Sequence, residues 1–144
     1  MTKFDSSHSL NNTDYVGISQ THLPVIEKLK ILYISWITIH RKIPRTERFG
    51  LGTRIDNAFL DLLTSLRRAS FSEPKQKIPL LEIAIVKIDD IKFFVQLLWE
   101  SKLISNEQYI SFGNDLEIIG KNIGGWRKDM IKKTSTTSME EKKR

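Results

Sequence analysis

Apolar residues recur along this chain in steps of four and three, in four separate stretches. In the first, Val25, Leu29, Leu32, Trp36, Ile39 and Ile43 keep that rhythm unbroken. In the second, Leu51, Ile55, Ala58, Phe59, Leu62 and Leu66 share a face. Ala84, Ile88, Ile91, Val95 and Leu98 mark the third, and Tyr109, Phe112, Leu116, Ile119, Ile123, Trp126 and Met130 the fourth. A 3.6-residue turn places such positions on one stripe, so each stretch reads as a helix with one face for a core. No stretch shows the alternation of a half-buried strand.

The connections "PRTE", "SEPKQK" and "ISN" are short. Short connections force successive helices to run antiparallel, which predicts an all-α, up-down-up-down antiparallel four-helix bundle. Boundary residues agree with this. Pro24 suits a first helical turn, and Pro44 stops the first helix because the residue before a proline resists the α region. Thr46 is the expected N-cap of the second helix, with Glu47 near the positive end of its dipole. Pro79 is tolerable only near the start of the third. Ser105 and Gln108 form a capping box, with Ile104 stapled onto Tyr109. Residues 1–21 and 134–144 are polar and aperiodic and read as disordered tails, which leaves 22–133 for the bundle.

Composition narrows the class. A chain of 144 residues with 40% apolar content suits one packed domain. It has no cysteine, so disulfides and thiolate zinc sites are excluded, in keeping with a reducing cytoplasm. The N-terminus lacks an apolar leader, and "ILYISWITI" is too short to span a bilayer. The net charge of +6 fits either an anionic partner, nucleic acid first, or solubility alone.

That charge is not spread evenly. The stretch "KIPRTERFGLGTRID" puts Lys42, Arg45, Arg48 and Arg54 beside Arg41 at one corner, next to a helix start whose dipole does not favour them. An anion bound there would explain them. Gly50 and Gly52 cost about 0.8–1 kcal/mol each inside a helix and suggest close approach by another backbone. The other end collects Lys28, Lys30, Arg67, Arg68, Lys75, Lys77, Arg127, Lys128, Lys132 and Lys133. In a ring of parallel subunits each end becomes a basic annulus fit for a phosphate backbone. Gly113, Gly120 and Gly124 line a stripe of the fourth helix, where Gly120-x-x-x-Gly124 would allow close helix approach, or else Gly124-Gly125 breaks the helix before Trp126.

Catalytic chemistry is absent from the pattern. His8, His22 and His40 form no metal-binding spacing with a glutamate, and there is no phosphate-cradling loop, so no metal, cofactor or enzymatic activity is expected. Asp89 and Asp90 are adjacent and point apart on a helix, so with Glu82 they read as a solvated acidic face. Trp36, Trp99 and Trp126 are spaced for cores or interfaces.

"IPRTERFGLGTRI", then an aliphatic helix, "SNEQY" and "IIGKNIGGWRK", resemble the accessory variability determinant proteins of diversity-generating retroelements. Those belong to the broader group of four-helix bundles first noted in intervening sequences of bacterial 23S ribosomal RNA genes. The resemblance covers about residues 24–130. "NAFLDLLTSLRRASFSEPKQK" stands where the ribosomal branch carries a "SIPSNIAEG"-like segment, which favours the retroelement branch. The resemblance implies a basic homopentamer that associates with the element's reverse transcriptase and with RNA and DNA, and that is needed for mutagenic retrohoming. Arg41, Lys42, Arg45, Arg48, Arg54, Arg67, Arg68, Arg127 and Lys128 are the expected nucleic-acid contacts. Two basic residues one turn apart on the third helix of that family match Lys92, which keeps the charge, and Gln96, which departs. A structural homo-oligomer of the ribosomal intervening-sequence type, without nucleic acid, is the alternative.

Overall fold

The four periodic stretches are helical in the computed structural model, which describes residues 23–142, with side-chain surroundings to residue 136. The segment 1–21, read above as a tail, lies outside the described residues, as do His8 and His22. Helix α1 spans Leu23–Lys42. After Ile43 and Pro44 comes α2, Arg45–Glu47, then a π-helical turn, Arg48–Gly52, then α3, Thr53–Phe71. Every junction in that run has right-handed helical backbone angles, so the three pieces form one rod. Helix α4 is Pro74–Glu100 and α5 is Asn106–Lys142.

Each rod packs on its sequence neighbours, and α1 also meets α5, giving the cyclic order α1, α3, α4, α5. This is the up-down-up-down bundle expected from the short connections, and no strand occurs among the described residues. The predicted seams converge on one core. Leu29, Trp36, Ile55, Phe59, Leu62, Leu81, Ile88, Leu98, Leu116 and Trp126 are all buried. Each such side chain contributes about 1.5–3 kcal/mol relative to exposure.

Several boundaries differ from expectation. The first connection is only Ile43-Pro44. Pro44 occupies the N-cap position without a side-chain cap, and Thr46 lies inside α2, so Thr46 is not the cap. Pro79 sits one full turn inside α4, where its missing N–H leaves a carbonyl without a helical donor. Helix α5 passes through Gly124 and Gly125 and continues beyond 133 to Lys142, so the glycine pair is not a break.

The turn between α4 and α5 follows expectation and adds to it. Ser105 Oγ accepts from the Gln108 amide at 3.1 Å, and Gln108 Oε1 accepts from the Ser105 amide at 2.8 Å. Before it, the Leu103 amide donates to the Leu98 carbonyl at 2.8 Å and the Lys102 amide to the Trp99 carbonyl at 3.0 Å. Lys102 takes the left-handed φ of 62° that this helix-ending motif requires. Trp99 stacks on Tyr109 across the turn at 4.5 Å, and its indole N–H donates to Asn106.

Helix α4 is apolar on more than one side. Next to its buried seam runs a second stripe in which Ile83, Val86 and Phe93 are exposed, at the same steps of three and seven. A helix apolar all round belongs in an interior.

Tyr33 ties α1 to α3 through a 2.9 Å hydrogen bond from its hydroxyl to Asp56. Burial first, then that bond and the carboxylate's charge, push its phenol up to about 12 from 10.0. The folded chain therefore keeps this proton after the unfolded chain releases it. The resulting stability is present below pH 10.0 and is lost as pH rises through about 12. Lys77 pulls the other way, since burial first and the charge of Lys133 second lower its ammonium below 10.5. Its share of stability rises toward that pH. The difference between wild type and Tyr33→Phe cancels the Lys77 part. Denaturant midpoints of the Phe variant should accordingly fall less than those of wild type between pH 9 and pH 11.5, and identical profiles would rule out the link.

Candidate nucleic-acid interface

One end of the bundle is built around the last carbonyls of α1. Helix ends leave such groups without partners, and Pro44 cuts the helix before another turn can cover them. Arg48 fills the gap. Its Nη2 donates to the carbonyls of Arg41 and Ile43, each at 3.0 Å, and its Nε to Ile43 at 3.2 Å. A cation here also meets the negative end of the α1 dipole. Arg48 is thus a helix-ending residue whose Nε and Nη2 are committed to the carbonyls of α1, unlike the other cations of this corner. The dipole argument changes with it, because Arg41 and Lys42 sit in the favourable last turn of α1.

The π-helical turn is held from two sides. The Arg48 carbonyl accepts from Thr53 Oγ1 at 2.9 Å and lies 3.4 Å from His40 Nε2. His40 in turn stacks on Trp36, with centroids 5.0 Å apart. Gly52 meets this ring: a Cβ there would lie 2.7 Å from His40 Nε2. The close approach inferred for Gly52 is therefore to a side chain of α1. Gly50 has no neighbour within 4 Å of such a Cβ.

Replacing Arg48 by Gln should lower the unfolding free energy by about 1–3 kcal/mol, the scale of charge-assisted hydrogen bonds lost from a partly buried group. Nucleic-acid affinity per folded molecule and its salt slope should stay at the wild-type values. Urea unfolding and a binding titration on the same variant check both halves.

The remaining cations of this corner point outward. Arg41, Lys42, Arg45 and Arg54 are exposed, and none makes an ion pair among the described residues. Arg45 lies over the Phe49 ring at 5.8 Å and Arg54 over Phe94 at 5.9 Å. Phe49 itself is 71% exposed. Phe49 lies off the apolar seam, so the rhythm of fours and threes does not mark it. A phenylalanine set among arginines was the available signal.

At the other end, Arg67, Arg68, Lys75, Lys128 and Lys132 are exposed and without ion pairs among the described residues. Lys30 pairs with Glu27 at 3.0 Å. Arg127 is half-buried and leans toward Glu82 at 3.9 Å, so it is partly committed to α4. Lys77 leaves the surface cluster altogether. It is buried, it donates to the carbonyls of Ala69 at 2.6 Å and Ser70 at 3.4 Å, and it lies 5.7 Å from the Trp126 ring centroid. Lys77 thus does at the end of α3 what Arg48 does at the end of α1.

Lys92 and Gln96 come together on an open groove of about 370 Å³ between α4 and α5, with Phe93 and Tyr109 beside them. Lys92 pairs with Glu117 at 2.9 Å. That hydrogen bond first, and the ammonium charge second, hold the Glu117 carboxyl below its usual range. Gln96 donates to Glu100 at 2.8 Å. The groove therefore presents mixed charge over an aromatic floor. No group of three metal-ligating side chains gathers among the described residues, and none of the helices described is long and apolar enough to cross a membrane.

No family model matches the chain, and no curated protein does. Among solved structures it is similar to a protein of unknown function of the S23 ribosomal protein family from Bacteroides thetaiotaomicron VPI-5482. The TM-score is 0.70 at 20% identity, over 76% of this chain and 99% of the other. A likeness at that identity concerns the fold: the chain shares the four-helix architecture of that S23-family protein.

Proposed function

We propose that this chain is a non-enzymatic cytoplasmic scaffold that assembles into a homopentamer, binds RNA and DNA, and serves a diversity-generating retroelement beside its reverse transcriptase during mutagenic retrohoming. The observation that carries the reading is the charge layout. Arg41, Lys42, Arg45 and Arg54 at one end, and Arg67, Arg68, Lys75 and Lys128 at the other, are exposed without ion-pair partners among the described residues. Cations held apart from carboxylates remain available to phosphates, whose neutralisation releases counterions and drives binding.

Assembly is supported by the outer stripe of α4, whose Ile83, Val86 and Phe93 are left exposed by the described residues. The retroelement assignment rests on the resemblance of the "IPRTERFGLGTRI" corner and the "IIGKNIGGWRK" segment. The Lys92–Gln96 groove is the proposed seat of the polymerase.

A second reading, a structural homo-oligomer without nucleic acid, draws on the fold likeness to the S23-family structure. Light scattering with RNA titration separates the two. The first reading expects a mass near five chains and RNA affinity that falls steeply with salt. A ring that ignores RNA supports the second, and a monomer removes the basic annulus from both.

A further inference from the structure

We propose that Phe49 is a stacking platform for an unpaired base, so that the corner between α1 and α3 takes single-stranded nucleic acid. The inference rests on the nucleic-acid reading above and goes beyond it in naming the strand state and the residue. Phe49 is the most exposed of the large hydrophobic side chains described, at 71%. A single exposed apolar residue is ordinary; the surroundings of this one are not. The Arg45 guanidinium lies 5.8 Å from the ring centroid, on one face, and the exposure leaves room for a planar group on the other. Arg41 and Lys42, both exposed, stand at the same end of the bundle to meet the flanking phosphates. Aromatic rings interleaved with cations are how proteins hold single strands, because every base has a face to stack while a duplex keeps its faces covered.

The backbone around Phe49 suits a stacking surface. The residue before it, Arg48, is pinned to α1 by its guanidinium and to Thr53 by its carbonyl. The ring therefore stands on an anchored turn, which limits the ordering cost of binding. The residue after it is Gly50, whose missing Cβ would touch nothing within 4 Å, so the chain's own packing does not require glycine there. Glycine keeps the backbone beside the ring bare for a sugar or a base edge.

The other exposed phenyl groups lack this setting. Phe93 lies in the mixed-charge groove, where the Lys92 ammonium is already paired with Glu117 and Asp89 adds a further negative charge. Phe71 has no cation over its ring among the described residues.

The test uses the full chain and three labelled probes of equal length: single-stranded RNA, duplex RNA and an abasic sugar-phosphate strand. Wild type should bind the single strand more tightly than the abasic strand. Phe49→Leu keeps apolar bulk without the π face. It should weaken single-strand binding by about ten- to a hundredfold, the loss of one base–aromatic stack, with an unchanged salt slope and unchanged abasic binding. Phe49→Trp should restore the affinity, Phe71→Leu should leave it at the wild-type value, and light scattering should show one mass throughout. Single-strand binding that is indifferent to Phe49→Leu overturns this proposal alone. So does a Leu variant that loses assembly together with affinity, which would place Phe49 in a subunit contact. A wild type that binds none of the probes overturns the nucleic-acid reading, and this inference falls with it.

Discussion

Replacing Arg41, Lys42, Arg45 and Arg54 together by glutamine should leave the bundle folded and lower its affinity for single-stranded RNA by about 10²–10³-fold at 0.1 M salt. The estimate follows from counterion release. Each phosphate contact on a single strand contributes about 0.7 to the slope of log affinity against log salt, so four lost contacts flatten it by about three. Folding survives because none of the four has an ion-pair partner to abandon among the described residues. The main stability cost comes from α1, whose last turn holds Arg41 and Lys42. Losing two cations there costs about 0.3–1 kcal/mol each, small beside a domain stability of about 5–15 kcal/mol. Circular dichroism, light scattering and a salt-series titration on this one variant decide the matter. A folded variant with wild-type affinity and slope would remove the corner from the proposed binding surface, and a mass below that of wild type would assign these cations to subunit contacts.

Gly52→Ala should destabilise the protein by about 2–3 kcal/mol, on the scale of overpacking a well-filled interior. The new methyl would lie 2.7 Å from His40 Nε2 and 2.8 Å from Cδ2, too close to remain. Histidine could swing aside if free, but this one stacks on buried Trp36 and reaches the Arg48 carbonyl. Moving it disturbs the core on one side and the π-helical turn on the other. His40→Ala should open that space, so the Gly52→Ala, His40→Ala pair should lose less than the sum of its single changes. A coupling of at least about 1 kcal/mol between such contacting residues is expected from chemical-denaturation cycles. Additive losses would show that the glycine is there for another reason.

The bundle itself was legible because periodicity reports burial directly. Leu29, Trp36, Ile88 and Ile123 fall on their seams in the sequence and in the core. The Ser105–Gln108 box was legible because its partners are three residues apart. Arg48 and Lys77 were not, for one shared reason. Each satisfies carbonyls at the end of a preceding helix, across a turn whose geometry no local pattern encodes. Both therefore counted as surface charge. Gly52 failed similarly, since its neighbour His40 belongs to another helix. The outer stripe of α4 was hidden by the stronger seam beside it, because a helix apolar on two faces still shows the rhythm of one.

The cyclic helix order also bears on how the chain reaches its fold. Successive helices touch at every step, and among the described helices the meeting of α1 with α5 joins the most distant parts of the sequence. Most contacts can form without closing a large loop, which places such a topology among fast folders, on the microsecond-to-millisecond scale. The α1–α5 seam carries the greatest loop-closure entropy and so closes late. Changes confined to that seam then act mainly on the unfolding rate, whereas changes between α3 and α4 also slow folding. The lifetime of the folded chain is set where α1 and α5 meet.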